Sequence, residues 1–437
     1  MKRLNKVSLS WAMYDWANSA FTTTIMAGFF PVFFKAYWSA GADAGLSTFW
    51  LGVVNSIASL IVAAIAPILG TIADKASVKK RFLLVFAFIG SASSLAFWFV
   101  AQGQWVLAMA VYTMGVLGFS GGNIFYDALL PSASNTDSVD FVSSLGFSLG
   151  YIGGGLLFAV NVAMYLFPQY FGLANDVIAV RFSFVTVGIW WALFTIPLLV
   201  NVVEKARQNP GGNAGADAGG AQSGNVVSQS FKELWITFTH IRKLKYTALF
   251  LLAYWFYIDG VDTVIRMAVD FGASLDFSSS SLITALLITQ FVAFPATLLY
   301  AGFAGKIGLK RALLIAIVAY FVLTSLGSLM QVELHFYLLA VAVGLFQGGI
   351  QALSRSLFSR LVPPGKEGEF FGFFNMFGKF AAIIGPLLVG FSTLLSGSNR
   401  IGILSLLVLF GLGFFLLLKV DIDEGRRAAE NFATQDR

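Results

Sequence analysis

Ionisable side chains interrupt several long apolar stretches of this sequence. In YIDGVDTVIRM, Asp259, Asp262 and Arg266 follow one another at spacings of three and four residues, which places them on one face of a helix. A charged group inside a membrane is costly unless it meets water or a partner. Two interpretations stand: Asp259 binds a proton or the amine of a solute near mid-membrane, or Asp262 and Arg266 form an internal ion pair.

A second polar stripe contains Gln347, Gln351 and Arg355 at spacings of four residues. Two amides and a guanidinium suit a solute that bears a carboxylate, since arginine binds carboxylates in a bidentate manner. The alternative is hydrogen bonding between helices, with Arg355 extending toward the inner surface.

Three further groups are candidates for the same path. Asn375 and Lys379 share a helix face at a spacing of four residues. Asp15 and Asn18 lie in MYDWANSAF, where Asp15 either stabilises the positive end of a helix or acts in the translocation path. Asp127 lies at the inner end of an apolar stretch, beside a proline, and is expected to belong to the inner gate.

The composition is that of an integral membrane protein. Of the 437 residues, 57% are hydrophobic and 11% are charged. The basic residues are scattered singly, so a nucleic-acid partner is not expected. Cysteine is absent, which excludes disulfides and thiolate metal sites, and no metalloprotease, serine-hydrolase or phosphate-loop motif occurs. We expect neither an enzyme nor a cofactor or metal.

Twelve apolar windows are long enough to cross a bilayer. They lie near residues 11–38, 48–73, 82–101, 105–130, 142–167, 178–203, 246–269, 279–304, 310–330, 335–360, 370–396 and 400–420. This predicts an N-terminal six-helix bundle (1–203), a flexible linker (204–230), an amphipathic helix (231–245), a C-terminal six-helix bundle (246–420) and a tail (421–437).

The distribution of lysine and arginine predicts the orientation. If the N-terminus is cytoplasmic, the basic residues fall on the inner side of the membrane except for Lys35, Arg181, Arg266 and Arg400. Both termini, the linker and the tail are therefore predicted to be cytoplasmic.

An internal repeat supports two related halves. GTIADKASVKKR follows the second apolar window, and AGFAGKIGLKR follows the eighth. Six windows in each half with a basic loop in the same place indicate duplication. The sequence thus predicts an all-α membrane protein made of two pseudo-symmetric bundles with a cavity between them.

The first of these loops resembles the signature of the major facilitator superfamily in Gly70, Asp74, Lys75 and the basic tail Lys79, Lys80 and Arg81. The resemblance extends over nearly the whole chain and implies alternating access, with these residues and Asp127 in a cytoplasmic gate. Asp74 would then act as a latch between the halves; its alternative role is to cap and orient a helix.

Longer strings are similar to the vacuole-effluxer-like permeases, a branch named after autophagy-related vacuolar amino-acid exporters. They are YDWANSAF, FYDALLP, LGFSLGYIGG, YIDGVDTVIRM, FQGGIQALSRSLF and EFFGFFNMFGKFAAIIGP. LGFSLGYIGG also resembles the antiporter motif, but Tyr151 stands where that motif has proline. The alternative for Gly146, Gly150 and Gly154 is close helix packing.

The resemblance implies a secondary transporter that exports amino acids or similar zwitterionic solutes, with a proton gradient as the expected energy source. The alternatives are efflux of hydrophobic or cationic compounds, for which the 45 phenylalanines could line a pocket, or a transporter-like sensor. The expected partners are the lipid bilayer, a small solute and protons, and the expected form is a monomer in a bacterial inner membrane.

Overall fold

A computed structural model of the chain describes residues 5–39, 60–62, 66, 69–70, 72–74, 77–204, 241–273, 275 and 277–435. Within these ranges all regular secondary structure is helical. Ten helices in this part of the chain are long and apolar enough to cross a membrane. The predicted all-α, multi-pass membrane architecture is confirmed.

We number twelve helices in the described part of the chain. The helices that precede the predicted linker are α1 Lys6–Trp38, α2 Lys79–Phe99, α3 Trp105–Ala128, α4 Val139–Leu166 and α5 Asp176–Asn201. Those that follow it are α6 Lys245–Ala273, α7 Ser279–Ile307, α8 Leu309–Gly327, α9 Glu333–Leu361, α10 Glu367–Ser396, α11 Asn399–Leu418 and α12 Ile422–Gln435.

Each predicted span except one coincides with a described helix. The window at 48–73, the linker at 204–230 and the amphipathic helix at 231–245 lie largely outside the described residues. Residues 421–437, predicted as a tail, contain α12. The boundaries of the two predicted bundles stay a prediction.

Polar side chains begin several of these helices. The Asn5 Oδ1 atom accepts the Ser8 N–H at 2.7 Å before α1, and Asn175 Oδ1 accepts the Ile178 N–H at 2.9 Å before α5. Each side chain satisfies a backbone donor that has no partner within the first turn. The apolar runs behind these caps then propagate the helices.

Helix α1 changes its geometry along its length. It is α-helical over Lys6–Ala20 and π-helical over Phe21–Phe29. A π-helical segment is wider than an α-helix and is frequent at functional sites. In α1 this segment holds the buried side chains of Thr23 and Thr24. The polar residues at the start and in the middle of α1 therefore lie on segments of different helical geometry.

The buried apolar side chains form two clusters. One is built from residues between Trp11 and Val202, and the other from residues between Ile241 and Val420 together with Ala128. The clusters thus separate on either side of the predicted linker in the sequence.

Two arginines make equivalent contacts in the two groups of helices. Arg181 of α5 donates to the carbonyl oxygen of Trp98 at the end of α2, and Arg400 of α11 donates to the carbonyl oxygens of Ser328 and Met330 beyond α8. Carbonyl groups at the C-terminus of a helix attract cations. Because the sixth predicted span reaches the third in both groups, these contacts agree with the internal repeat.

Several chain segments meet at one end of the molecule, which we call the terminal end. It comprises the start of α1, the α3–α4 connection, the end of α9, and α12. The contacts there include Ser8 Oγ to the Ala133 carbonyl oxygen (2.7 Å), Arg360 to Asp140 (2.7 Å) and Tyr246 to Glu424 (2.6 Å).

Close packing of α2 against α3 gives a test of the fold. A Cβ atom at Gly118 would lie 2.5 Å from the backbone nitrogen of Gly90. We expect Gly118→Ala to lower the free energy of unfolding by about 1–3 kcal/mol, because the two backbones must separate. Thermal unfolding in detergent measures this. Gly411→Ala is the matched control, since no described atom lies within 4 Å of a Cβ there; equal loss in both variants would contradict the packing.

Candidate functional site

Arg355 of α9 is buried, and all its donors are engaged. Only 3% of the residue is exposed. Its Nε donates to Ser143 Oγ at 2.9 Å, and its Nη2 donates to the Ser143 carbonyl oxygen at 2.8 Å. Its Nη1 donates to Asp127 Oδ1 at 3.1 Å. Nη1 and Nη2 contact Asp15 Oδ2 at 3.5 and 3.4 Å. These contacts use the five N–H groups of the guanidinium.

Aromatic rings surround the same guanidinium. The Cζ atom of Arg355 lies 4.9 Å from the ring centre of Trp11, 5.2 Å from that of Tyr126 and 4.2 Å from that of Phe147. Such contacts stabilise a cation, and more so where water is excluded. The three rings belong to α1, α3 and α4, so the arginine of α9 is inserted among helices that precede the linker.

Each aspartate also accepts a second hydrogen bond. The Tyr126 hydroxyl donates to Asp15 Oδ2 at 2.8 Å, and Asn375 Nδ2 of α10 donates to Asp127 Oδ2 at 3.0 Å. We call this set the Arg355 cluster: Asp15, Tyr126, Asp127, Ser143, Arg355 and Asn375. It contains two carboxylates and one guanidinium. When these three groups are ionised, the cluster carries one excess negative charge.

The regularly spaced glycines of α4 make room for this cluster. A Cβ atom at Gly146 would lie 2.6 Å from Asp15 Oδ2 and 3.1 Å from Arg355 Nη2. At Gly150 and Gly154 it would likewise collide with α1. Close packing of α1 on α4 therefore explains the spacing. The Asp15 side chain points toward α9 rather than serving only the start of its own helix.

A second polar contact joins the helix groups nearer the surface of the terminal end. The Asp74 carboxylate lies 2.7 Å from Lys79 Nζ and accepts the backbone N–H groups of Gly368 and Glu369 at 2.9 and 2.8 Å. These N–H groups belong to the first turn of α10, where a negative charge is favourable. Burial raises the pKa of the Asp74 carboxyl, and Lys79 opposes that rise.

The remaining gate residues have different positions. Gly70 lies against α10, because a Cβ atom there would be 2.1 Å from the Gly368 carbonyl oxygen. Arg81 is exposed, and Lys75 lies outside the described residues. The lysine that pairs with Asp74 is Lys79, which also contacts Glu367 at 3.1 Å.

The charged residues on one face of α6, Asp259, Asp262 and Arg266, differ in their exposure to solvent. Asp259 is 1% exposed, and its carboxylate oxygens accept the backbone N–H of Gly385 in α10 at 2.9 and 3.0 Å. In this conformation it holds α6 against α10 rather than facing a solute. Asp262 is half-buried and Arg266 is exposed.

The other predicted residues with described side chains face neighbouring helices. The Tyr151 hydroxyl of α4 donates to Gln351 Oε1 of α9 at 2.7 Å. Asn18 donates to Asn123 Oδ1 at 2.7 Å. Gln347 is buried. The side chain of Lys379 lies outside the described residues, although its backbone is part of α10.

Sequence reasoning did not identify several partners in these networks. They are Tyr126, Ser143, Glu367 and the ion pair of Asp140 with Arg360. FYDALLP already placed Tyr126 beside Asp127, but the serine carried no local signal. In the described part of the chain, no three histidine, aspartate or glutamate side chains are close enough to hold a metal ion.

The chain is similar to proteins named as transporters and vacuolar effluxers. The sequence profile described as "Vacuole effluxer Atg22 like" matches residues 47–140 and 132–430. An "Uncharacterized MFS-type transporter YxiO" from Bacillus subtilis (strain 168) is 40% identical over 421 residues, which are 95% of each chain. "Autophagy-related protein 22" from Saccharomyces cerevisiae (strain ATCC 204508 / S288c) is 29% identical over 407 residues, 81% of this chain and 74% of that protein.

Solved structures support the same fold. The proton:xylose symporter XylE has a TM-score of 0.72 at 15% identity, over 98% of each chain. The human organic anion transporter MFSD10 has a TM-score of 0.64 at 15% identity, over 94% of this chain and 99% of its own. At this identity the likeness concerns the fold alone. With the profile and the relatives, it shows that the chain belongs to the Atg22-like vacuole effluxer family of the major facilitator superfamily.

Proposed function

We propose that this protein is a secondary transporter that exports amino acids or similar small zwitterionic solutes by alternating access, coupled to protons. The observation that carries the proposal is the Arg355 cluster. It joins α1, α3 and α4 to α9 and α10 through a buried guanidinium with every donor occupied. A carrier must make and break such contacts each time its access changes from one side to the other.

The excess carboxylate supports coupling to protons. Binding of one proton changes the net charge of a buried cluster, and hence the free-energy difference between joined and separated helix groups. Asp127 contacts the guanidinium at 3.1 Å, whereas Asp15 contacts it only at 3.4 and 3.5 Å. Asp15 is the carboxylate at the greater distance from the guanidinium, and we assign the proton to it.

We also propose a direction of transport, a membrane and an oligomeric state for this protein. The description of the matching profile as an effluxer supports export. The distribution of basic residues supports a cytoplasmic position for both termini, so that the terminal end is the inner end. We accordingly place the protein as a monomer in a bacterial inner membrane, acting as a carrier of solutes rather than as an enzyme or a nucleic-acid-binding protein.

Closure of the terminal end can be tested without knowing the solute. Because the chain contains no cysteine, the Asp140→Cys/Arg360→Cys pair reports separation of the helix groups through its crosslinking rate. Breaking a buried ion pair costs about 3–5 kcal/mol. We expect Arg355→Gln in this background to slow crosslinking at least about tenfold, which corresponds to about 1.4 kcal/mol.

Arg427→Gln is the matched control for this measurement. Arg427 is exposed on α12 at the same end of the molecule, and we expect the crosslinking rate to stay unchanged. An unchanged rate in the Arg355→Gln variant, with the protein shown to be folded, would remove the cluster from gating.

Proton coupling is tested in liposomes loaded with labelled amino acids. Asp15→Asn leaves one carboxylate for one guanidinium, so no group of the cluster needs to gain or lose a proton. We expect uphill export driven by an imposed pH gradient to fall at least about tenfold, while exchange of labelled for unlabelled solute continues. The exposed Asp176 supplies the control, Asp176→Asn. Gradient-driven export that survives Asp15→Asn would exclude Asp15 as the proton site.

A further inference from the structure

Gln347 lies in a closely packed part of α9 near mid-membrane. A Cβ atom at Gly344 would lie 3.0 Å from the Thr289 carbonyl oxygen of α7, and one at Gly348 would lie 1.7 Å from Thr297 Oγ1. The glycines on either side of Gln347 therefore seat α9 directly on α7. A side chain on so rigid a segment is held in a defined place, as a binding group requires.

Tyr151 packs beside Gln347, because its ring lies within 2.8 Å of a Cβ atom at Gly348, and its hydroxyl donates to Gln351 Oε1 at 2.7 Å. Since the hydroxyl has one proton, it cannot also donate to Gln347. The carbonyl oxygen Oε1 of Gln347 is then left without a donor among the described residues, although it is buried.

A buried acceptor without a donor is costly, and a solute could supply the missing donor. The charges near Gln347 determine whether a cationic or a neutral donor is favoured at its Oε1 atom. A Cβ atom at Gly150, next to Tyr151, would lie 3.4 Å from the Asp15 Cβ atom, and Asp15 belongs to the Arg355 cluster with its excess negative charge. A negative surrounding favours a cationic donor over a neutral one. In contrast, Asp259 is engaged by Gly385 and Arg355 by its own cluster, so neither receives a solute in this conformation.

Tyr151 belongs to α4, which precedes the linker, and packs against α9 beside Gln347. Its ring lies over Gly348, where a Cβ atom would come within 2.8 Å of Cε2. Only 8% of Gln347 is exposed as a result of this packing. Separation of α4 from α9 at the terminal end would remove Tyr151 and expose both glutamines.

We propose that Gln347 binds the primary ammonium group of the solute through Oε1 when the terminal end is open, and that Tyr151 displaces this group when the end closes. The inference rests on the proposed function and specifies its solute class as amines. Tyr151, at the place where the antiporter motif has proline, thus links solute release to formation of the Arg355 cluster.

The test compares paired solutes in liposomes. Each labelled amino acid is assayed beside the carboxylic acid of the same skeleton that lacks the α-amino group. We expect the wild-type protein to prefer the amino acid. Gln347→Leu should raise its KM about tenfold and remove the preference, whereas Gln347→Glu, which retains an acceptor, should keep it. Gln331→Leu, at an exposed glutamine just before α9, is the control and should change nothing.

Two substitutions of Tyr151 test the displacement step. The displacing group is the ring over Gly348, because the hydroxyl donates to Gln351 and leaves Gln347 Oε1 unoccupied. Tyr151→Phe keeps the ring and should change KM and kcat by less than about twofold, whereas Tyr151→Ala removes the ring and should lower both by about threefold. Transport of no amino acid by the wild-type protein would overturn the proposed function and this inference with it. Amino-acid transport that does not discriminate against the acids without an amino group, or discrimination that persists in Gln347→Leu, would overturn the inference alone. A higher KM in Tyr151→Ala would overturn the displacement step.

Discussion

Burial of a single guanidinium is the constraint on which the helix contacts at the terminal end depend. Arg355 cannot be taken out of water unless its donors find acceptors, and these come from α1, α3 and α4. Gly146 is required as well, because any side chain there would occupy the space of the ion pair. The aromatic rings then exclude water, which strengthens each contact and makes the loss of any partner more costly.

The first turns of α10 connect the Arg355 cluster to the predicted latch, the contacts of Asp74 with Lys79 and α10. Their backbone N–H groups bind Asp74, Glu367 contacts Lys79, and Asn375 two turns later binds Asp127. A helix moves as a rigid unit, so its displacement must loosen the latch and the cluster together. We infer that the terminal end opens as a whole, since these contacts share one element and are not independent.

The elements were predictable from the sequence, but the pairing of their side chains was not. Hydropathy located the spans, and the cost of a buried charge identified Asp15, Asp127 and Arg355 one by one. Their meeting could not be foreseen, because Asp15 and Arg355 are 340 positions apart. Of the basic residues of the motif, Lys79 contacts Asp74 and Arg81 is exposed, whereas Lys75 lies outside the described residues. Such a choice depends on loop geometry, which spacing does not specify.

Two buried residues differ in whether their oxygen atoms have donors. Asp259 and Gln347 both face other helices, yet Asp259 has backbone and hydroxyl donors, while the Gln347 oxygen has none among the described residues. A satisfied carboxylate stabilises one arrangement of α6 and α10. An unsatisfied amide oxygen instead favours any state in which a donor reaches it. In the transport cycle that we propose, the closed terminal end is therefore destabilised at Gln347 and stabilised at Arg355, and this opposition would allow the solute and the proton to shift the balance.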